Sequence, residues 1–373
     1  LDADLIFLAL ASNKDNIHLL REAQEMGTEK EKTNLNVLNY VSIDVLKECI
    51  IEELNDILYD EFIERKLDNE RIIRDFIFIC YFLGNDFLPH IPSIDIKCYD
   101  KKCNNGLDLL LQAYANTYDN MDDYLISINE TNDISYNVVF LQMFVEYLAS
   151  FEEEFFMNMN NAKKYFRKCD SKDKYEIEKY KIENLQFKVK DDIELGKGDV
   201  DDYKFRYYKK YYHTDINQKE LVKFASYKYL EGLLWVANYY FNKCPSWGWY
   251  YPYEHAPFMS DLADNFKRFN LDNIKFKLGE PLKPIEQLLC VLPTQSDYLV
   301  PNEVKELMND NKSPLIHLYP HDFQIDLLYK TKYWQGIPIL PDLDIQLVKD
   351  TLHKDYSILY SKNINKENEV LLF

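Results

Sequence analysis

RIIRDFIFICYFLGNDFLPHIP, residues 71–92, is an apolar helix that stops abruptly and is followed at once by a carboxylate. Ile72, Ile73, Phe76, Ile77, Ile79, Cys80 and Leu83 share a wide helical stripe, so the spacing predicts a largely buried helix. Gly84 supplies the left-handed residue that ends it, Asn85 tolerates the bend, and Pro89 and Pro92 forbid continuation. Asp86 is thereby held on a rigid loop at the mouth of a core. A charge placed there needs a partner, because burying it alone is costly: a metal ion, a helix N-terminus or an arginine would serve. A plainer role is to cap a nearby stretch of backbone.

Working outward, the second anchor is LDADLIFLALA, residues 1–11. Asp2 and Asp4 stand two residues apart ahead of an apolar run, so from a strand end or a first helical turn they can converge on one cation. Hard divalent ions such as Mg²⁺ take oxygen ligands and keep several waters, so a few aspartates suffice. The alternative is again a helix N-cap, with either aspartate accepting the first free N–H groups. A third block, CPSWGWYYPY at residues 244–253, follows a long amphipathic helix expected over Leu221–Phe241 and is pinned by prolines. On this pinned loop one of Trp247 and Trp249 can be buried while the other faces a cleft.

Together these three blocks, in this order, resemble the 5′→3′ exoribonucleases of the Xrn/Rat family. That family reads LDADLI, then a buried helix closing in GNDFLPH, then a CPSW and WYYPY signature; EGLLWV at 231–236 matches it too. The resemblance runs from Leu1 to about Gly336, leaving the middle and the tail unmatched. It implies that Asp2, Asp4 and Asp86 are metal ligands and catalytic residues, served by Mg²⁺ or Mn²⁺. It further implies single-stranded RNA with a 5′-monophosphate as substrate, with Trp247 or Trp249 stacking on bases at the 5′ end. Glu254-His255 stands where relatives have His-Tyr, so no role passes to His255. The family's remaining acidic ligands and 5′-phosphate pocket lie upstream of Leu1, so the chain is expected to be a fragment with a partial site.

The bulk properties set bounds on this. A net charge of −19 argues against nucleic-acid binding by the whole surface, so RNA must sit in a local groove with metals supplying positive charge. The 7 cysteines are scattered and form no C-x-x-C pair, which indicates neither a zinc site nor a disulfide framework and suits a reducing, intracellular setting. No run of 18 apolar residues occurs, so no membrane span is expected. The polar insert through Thr33 lacks the Cys/His zinc knuckle common in nuclear relatives, which favours the cytoplasm. The Pro-His-Ile-Pro stretch at 89–92 and Trp334-Gln335-Gly336 look more like the nuclear type.

Between the anchors, Ile17–Glu22 reads as a short strand, 41–58 as an amphipathic helix, and Gly106–Leu111 as the opening of another. Residues 134–169 read as long helices whose aromatics are core. Residues 170–202 are charge-dense and poor in aliphatics, a mobile linker or a solvated helix. Lys204, Arg206, Lys209 and Lys210, interleaved with tyrosines, form the most basic aromatic stretch, read mainly as packing and secondarily as an RNA track. His317 and His321 flank Pro320, which breaks a helix and argues against a metal site. The tail after Tyr356 is polar.

The expected architecture is α/β, the C-terminal part of a Rossmann-like, PIN/flap-nuclease-type mixed sheet, incomplete here, followed by a mostly α-helical region. Its divisions are expected at 1–150, 151–202 and 203–373. The expected activity is metal-dependent 5′→3′ hydrolysis of RNA. Two alternatives remain: a flap-type structure-specific nuclease, which would need a helix-hairpin-helix not found after Asp86, and a non-catalytic RNA-binding scaffold derived from the nuclease.

Overall fold

The computed structural model describes residues 3–23, 34–58, 67–96, 105–129, 134–163, 169–214 and 218–355. The first half comprises α1 (Ala3–Ala11), β1 (His18–Ala23), β2 (Asn34–Ser42), α2 (Ile43–Ile57), α3 (Asn69–Cys80), α4 (Gly106–Met121), β3 (Ile126–Ile128), β4 (Ile134–Tyr136), α5 (Val138–Ala149) and α6 (Glu152–Ala162). Then come α7 (Lys174–Glu183), α8 (Val200–Tyr211), α9 (Gln218–Phe241), α10 (Met259–Phe266), α11 (Pro284–Val291), α12 (Lys305–Asn309), β5 (Gln324–Asp326), β6 (Ile337–Ile339) and α13 (Ile345–Asp355). The protein is helix-rich. Its sheets, among the described residues, are three separate antiparallel pairs, β1 with β2, β3 with β4 and β5 with β6. The Rossmann-like mixed sheet expected from the sequence is not among them.

Two compact units form: Leu1–Phe166 with Asp192–Leu278, and Arg167–Asp191 with Gly279–Phe373. This division departs from the expected one at 150 and 202. The charged stretch 170–202 is split between the units, and apolar residues too sparse to weigh in its composition, Leu185, Ile193 and Leu195, are all buried. Its helix α7 buries nothing, which is the solvated helix its composition allowed.

In the first unit, α3 is the central element. Asp68 caps it, its Oδ1 accepting the N–H groups of Glu70 and Arg71 at 3.0 and 3.2 Å. Ile72, Ile73, Ile77, Phe78, Ile79 and Cys80 are buried along it. The α-helix ends at Cys80 and tightens into a 3-10 turn over Tyr81–Leu83. Around it pack α1, α2 and α4, while α5 lies on α4 and α10 lies on both α5 and α9. The start of α10 is capped from α6: buried Glu152 accepts the Met259 and Ser260 N–H groups at 2.7 and 3.2 Å, together with the Ser93 and Ser260 hydroxyls. Burial pushes the Glu152 pKa up.

The basic aromatic stretch forms α8, and three of its four cations, Lys204, Arg206 and Lys210, are engaged locally. Lys204 pairs with Asp261 at 2.9 Å, Lys210 pairs with Asp192 at 2.7 Å, and Arg206 donates to the carbonyls of Ile193 (2.5 Å) and Lys197 (3.1 Å). Tyr203, Tyr207 and Tyr208 are buried. The packing reading is the one this arrangement bears out.

The second unit has its own core of Ile285, Leu289, Val304, Leu307, Met308, Leu315, Val348 and Leu352, with α11 against α13 and the Tyr319 hydroxyl on the Leu289 carbonyl at 2.7 Å. His317 lies in a 3-10 turn and His321 in the bend after Pro320. No described helix is long and apolar enough to cross a membrane.

Candidate metal and RNA site

Asp86 sits on a loop shaped by its neighbours rather than by itself. Gly84 has φ 93° and ψ 154°, a region essentially open only to glycine, and a Cβ there would lie 2.9 Å from the His90 nitrogen. This is positive φ, as expected, though not the helical left-handed well. Asn85 does more than tolerate the bend: its Oδ1 accepts the N–H groups of Phe87 and Leu88 at 2.9 and 3.0 Å. The Ile91 N–H returns to the Phe82 carbonyl at 3.1 Å, closing the loop. Asp86 itself is exposed at its tip.

Asp4 lies in the first turn of α1, at its second residue, half-buried. It is therefore inside the helix and not its cap. Asp2 lies outside the described residues, so two of the three expected carboxylates are located. Among the described residues no group of three His, Cys, Asp or Glu side chains is arranged to hold a metal.

What joins the two is α9. The Tyr240 hydroxyl donates to Asp4 Oδ1 at 2.7 Å across 236 residues of sequence. Burial, the hydrogen bond to Asp4, and the charges of Asp4 and Asp86 push the Tyr240 pKa up, so both carboxylates act on one phenol. Three turns back on the same face, the Tyr229 hydroxyl donates to the Pro89 carbonyl at 3.0 Å and so holds the Asp86 loop. The donors offered by Asp4 and Asp86 are carboxylate oxygens, which suit Mg²⁺ or Mn²⁺.

The sequence reading missed Tyr240. Its available signal was the spacing Tyr229, Leu233, Val236, Tyr240, a stripe at i, i+4, i+7 and i+11 that is buried throughout. Reading that stripe as core is right for Leu233 and Val236, and it hides two hydroxyls that reach acceptors on other elements.

Beside this lies an aromatic stack. Trp235 stacks on Tyr239 (5.5 Å, 8°) and on Trp249 (5.3 Å, 22°), and Phe87, next to Asp86, meets Trp235 at 4.7 Å. Trp249 is pinned by its Nε1–H, which donates to Glu231 Oε2 at 2.8 Å; that oxygen also takes Lys228 at 2.7 Å. A side chain at Gly232 would meet Leu88 and Trp249, both at 2.7 Å, so only glycine lets the Asp86 loop and the tryptophan close on α9. Trp247 is 53% exposed. The two tryptophans thus differ, because the chain bends at Trp247–Gly248 and does not run as a regular strand, whose i and i+2 side chains would share a face.

A family model described as the Xrn1 helical domain matches residues 66–186 and 158–372. The chain is 27% identical to "5'-3' exoribonuclease 2" of Candida albicans, over all of this chain and 51% of that protein. It is 28% identical to "5'-3' exoribonuclease 2" of Arabidopsis thaliana, over 91% of this chain and 43% of that protein. It is 30% identical to "5'-3' exoribonuclease 1" of Homo sapiens, over 92% of this chain and 22% of that protein. The chain spans about half the length of the Candida relative and less of the other two.

Proposed function

This chain belongs to the Xrn family, and from that premise we propose that it is part of a metal-dependent 5′→3′ exoribonuclease acting on single-stranded RNA with a 5′-monophosphate. The observation that carries the reading is that the Tyr240 phenol donates to Asp4, from α1, and also feels the charge of Asp86, from the loop after α3. The relatives' names supply the reaction class, since each is a 5′-3′ exoribonuclease.

In this reading Asp2, Asp4 and Asp86 hold Mg²⁺ or Mn²⁺. When bound, the ion supplies charge that polarises the scissile phosphate, acidifies the attacking water and stabilises the leaving oxygen. The chain's own residues place the acceptors: Gly84 and Asn85 fix the loop that presents Asp86, and α1 presents Asp4. Their negative charge keeps the cation at the mouth of the site against an acidic surface that would otherwise repel RNA. The exposed Trp247 offers a free ring face for base stacking, whereas Trp249 is committed to Trp235 and Glu231.

The reading includes an α/β nuclease sheet of PIN/flap type against which α1 and the β1–β2 hairpin would lie. It is supported by apolar side chains they leave at the surface, Leu5, Leu20, Leu38 and Tyr40. The absence of Cys and His from residues 24–33 supports a cytoplasmic placement.

The test is degradation of 5′-monophosphate and 5′-hydroxyl single-stranded RNA by the full-length protein, with Mg²⁺ and with a chelator. Processive loss of only the 5′-phosphorylated RNA, stopped by chelation, is expected; cleavage unaffected by the chelator overturns the reading. The tryptophans give a separate forecast. Trp247→Ala is expected to weaken single-stranded RNA binding by about 1–3 kcal/mol and to leave the melting temperature unchanged. Trp249→Ala is expected to lower stability by roughly 2–4 kcal/mol through loss of its stack. Binding titrations and denaturant melts on both variants check this, and unchanged RNA affinity in Trp247→Ala removes its stacking role.

A further inference from the structure

Around Asp4 the structure holds more order than a carboxylate at the start of a helix requires. The Tyr240 hydroxyl reaches Asp4 Oδ1 from the penultimate residue of a 24-residue helix, and its ring lies 5.4 Å from that of Tyr81, which is fully buried just after α3. The Tyr81 hydroxyl makes no hydrogen bond among the described residues and is enclosed beneath this pair. A short, half-buried carboxylate still has more than one rotamer open to it, and a donor on a packed aromatic ring selects among them. Tyr240 has two side-chain torsions, both fixed by its neighbours Tyr81 and Tyr239, whose ring lies 5.7 Å away.

We propose that Tyr240 is a positioning residue for the metal-holding carboxylate of Asp4: its hydroxyl, donated to Oδ1, fixes the orientation in which α1 presents that carboxylate beside the Asp86 loop. The proposal rests on reading Asp4 as a metal-holding residue. The same helix fixes the other half of the arrangement, because Tyr229 holds Pro89, three residues after Asp86. α9 is in this way a strut with a hydroxyl toward each carboxylate-bearing segment, the two hydroxyl-bearing residues about 16 Å apart along its axis. Partners that orient metal-ligating side chains are typically worth 10–100-fold in metal affinity or activity.

The test uses the full-length protein and three variants, Tyr240→Phe, Tyr207→Phe and Asp4→Asn. Tyr240→Phe keeps the ring against Tyr81 and removes only the hydroxyl. Tyr207→Phe removes a comparable buried hydroxyl, bonded to the Ala256 carbonyl at 2.7 Å on a different helix, and controls for stability alone. Mn²⁺ binding is read by electron paramagnetic resonance, together with kcat and KM for RNA and the melting temperature without metal. Tyr240→Phe is expected to bind Mn²⁺ at least about tenfold more weakly and to lose kcat by a similar factor. KM is expected to be unchanged, excess Mg²⁺ to restore kcat in part, and the melting temperature to match that of Tyr207→Phe. Wild-type Mn²⁺ affinity in Tyr240→Phe, or an equal loss in Tyr207→Phe, overturns the proposal. If Asp4→Asn itself binds Mn²⁺ and degrades RNA as wild type does, the functional reading fails; if it is inactive while Tyr240→Phe is normal, only the role of Tyr240 fails.

Discussion

Asp86→Asn in the full-length protein is expected to cut Mg²⁺-dependent degradation of 5′-phosphorylated RNA by roughly 10³-fold or more, with the metal-free fold as stable as before. The size follows from the several kcal/mol that a bound ion contributes to stabilising charge in the transition state, lost when a ligand loses its negative charge. Preserved stability follows from the loop. Its shape depends on Gly84, on the Asn85 carbonyl oxygen that accepts two N–H groups, and on Tyr229 holding Pro89, and none of these involves the Asp86 side chain. An exposed carboxylate replaced by its isosteric amide is expected to change the stability of the apo protein by no more than about 0.5 kcal/mol. Asn85→Ala makes the contrasting case: it orphans the Phe87 and Leu88 N–H groups and is expected to lose stability by about 1–2 kcal/mol along with activity. Exonuclease assays paired with melts, with and without Mg²⁺, separate the two variants. Full activity in Asp86→Asn would take Asp86 out of the metal site.

How far the sequence could be read depended on whether the signal was local. The stop of α3 was legible because glycine, asparagine and two prolines act within a few residues of one another, and the helices over 43–57 and 218–241 were legible because their stripes are long. The 3-10 turn over Tyr81–Leu83 was not, since its residues continue the apolar pattern without a break. For Lys204, Arg206 and Lys210 an RNA track stayed open as the secondary reading beside packing, because their acceptors, Asp261 and the 192–197 loop, are separated from them in sequence. Asp4 and Asp86 were legible as candidates from their motifs, but the residue that links them was not. Tyr240 has the sequence environment of any core aromatic, and only the tertiary path of α9 brings its hydroxyl to Asp4. Asp75, a single carboxylate inside the apolar stripe of α3, went unremarked for the same reason.

That carboxylate carries the largest stability forecast. Asp75 is fully buried; its Oδ2 accepts the Tyr114 hydroxyl and the Leu125 N–H, both at 2.8 Å, and its Oδ1 accepts the Ile126 N–H at 2.7 Å. It thereby anchors the start of β3 to α3 and satisfies two backbone donors that have no water to turn to. Asp75→Ala is expected to cost about 3–5 kcal/mol near pH 5, a large share of a domain's total stability. Asn is no rescue, because its single oxygen serves one side and its NH₂ would face a donor on the other. Burial pushes the Asp75 pKa up to about 7, outweighing the opposing effects of Leu125, Ile126, Tyr114 and Arg71. The sign follows: between about pH 4, where the unfolded carboxyl titrates, and about pH 7, the folded state keeps a proton that the unfolded state has released. Stability from this group is therefore complete below pH 4 and falls as pH rises through the window, by up to about 1.4 kcal/mol per pH unit. The gap between wild type and Asp75→Ala in denaturant melts is accordingly expected to shrink to roughly 1–2 kcal/mol by pH 8. A gap that widens with pH would mean that the three donors outweigh burial, and that Asp75 is held ionised in the fold.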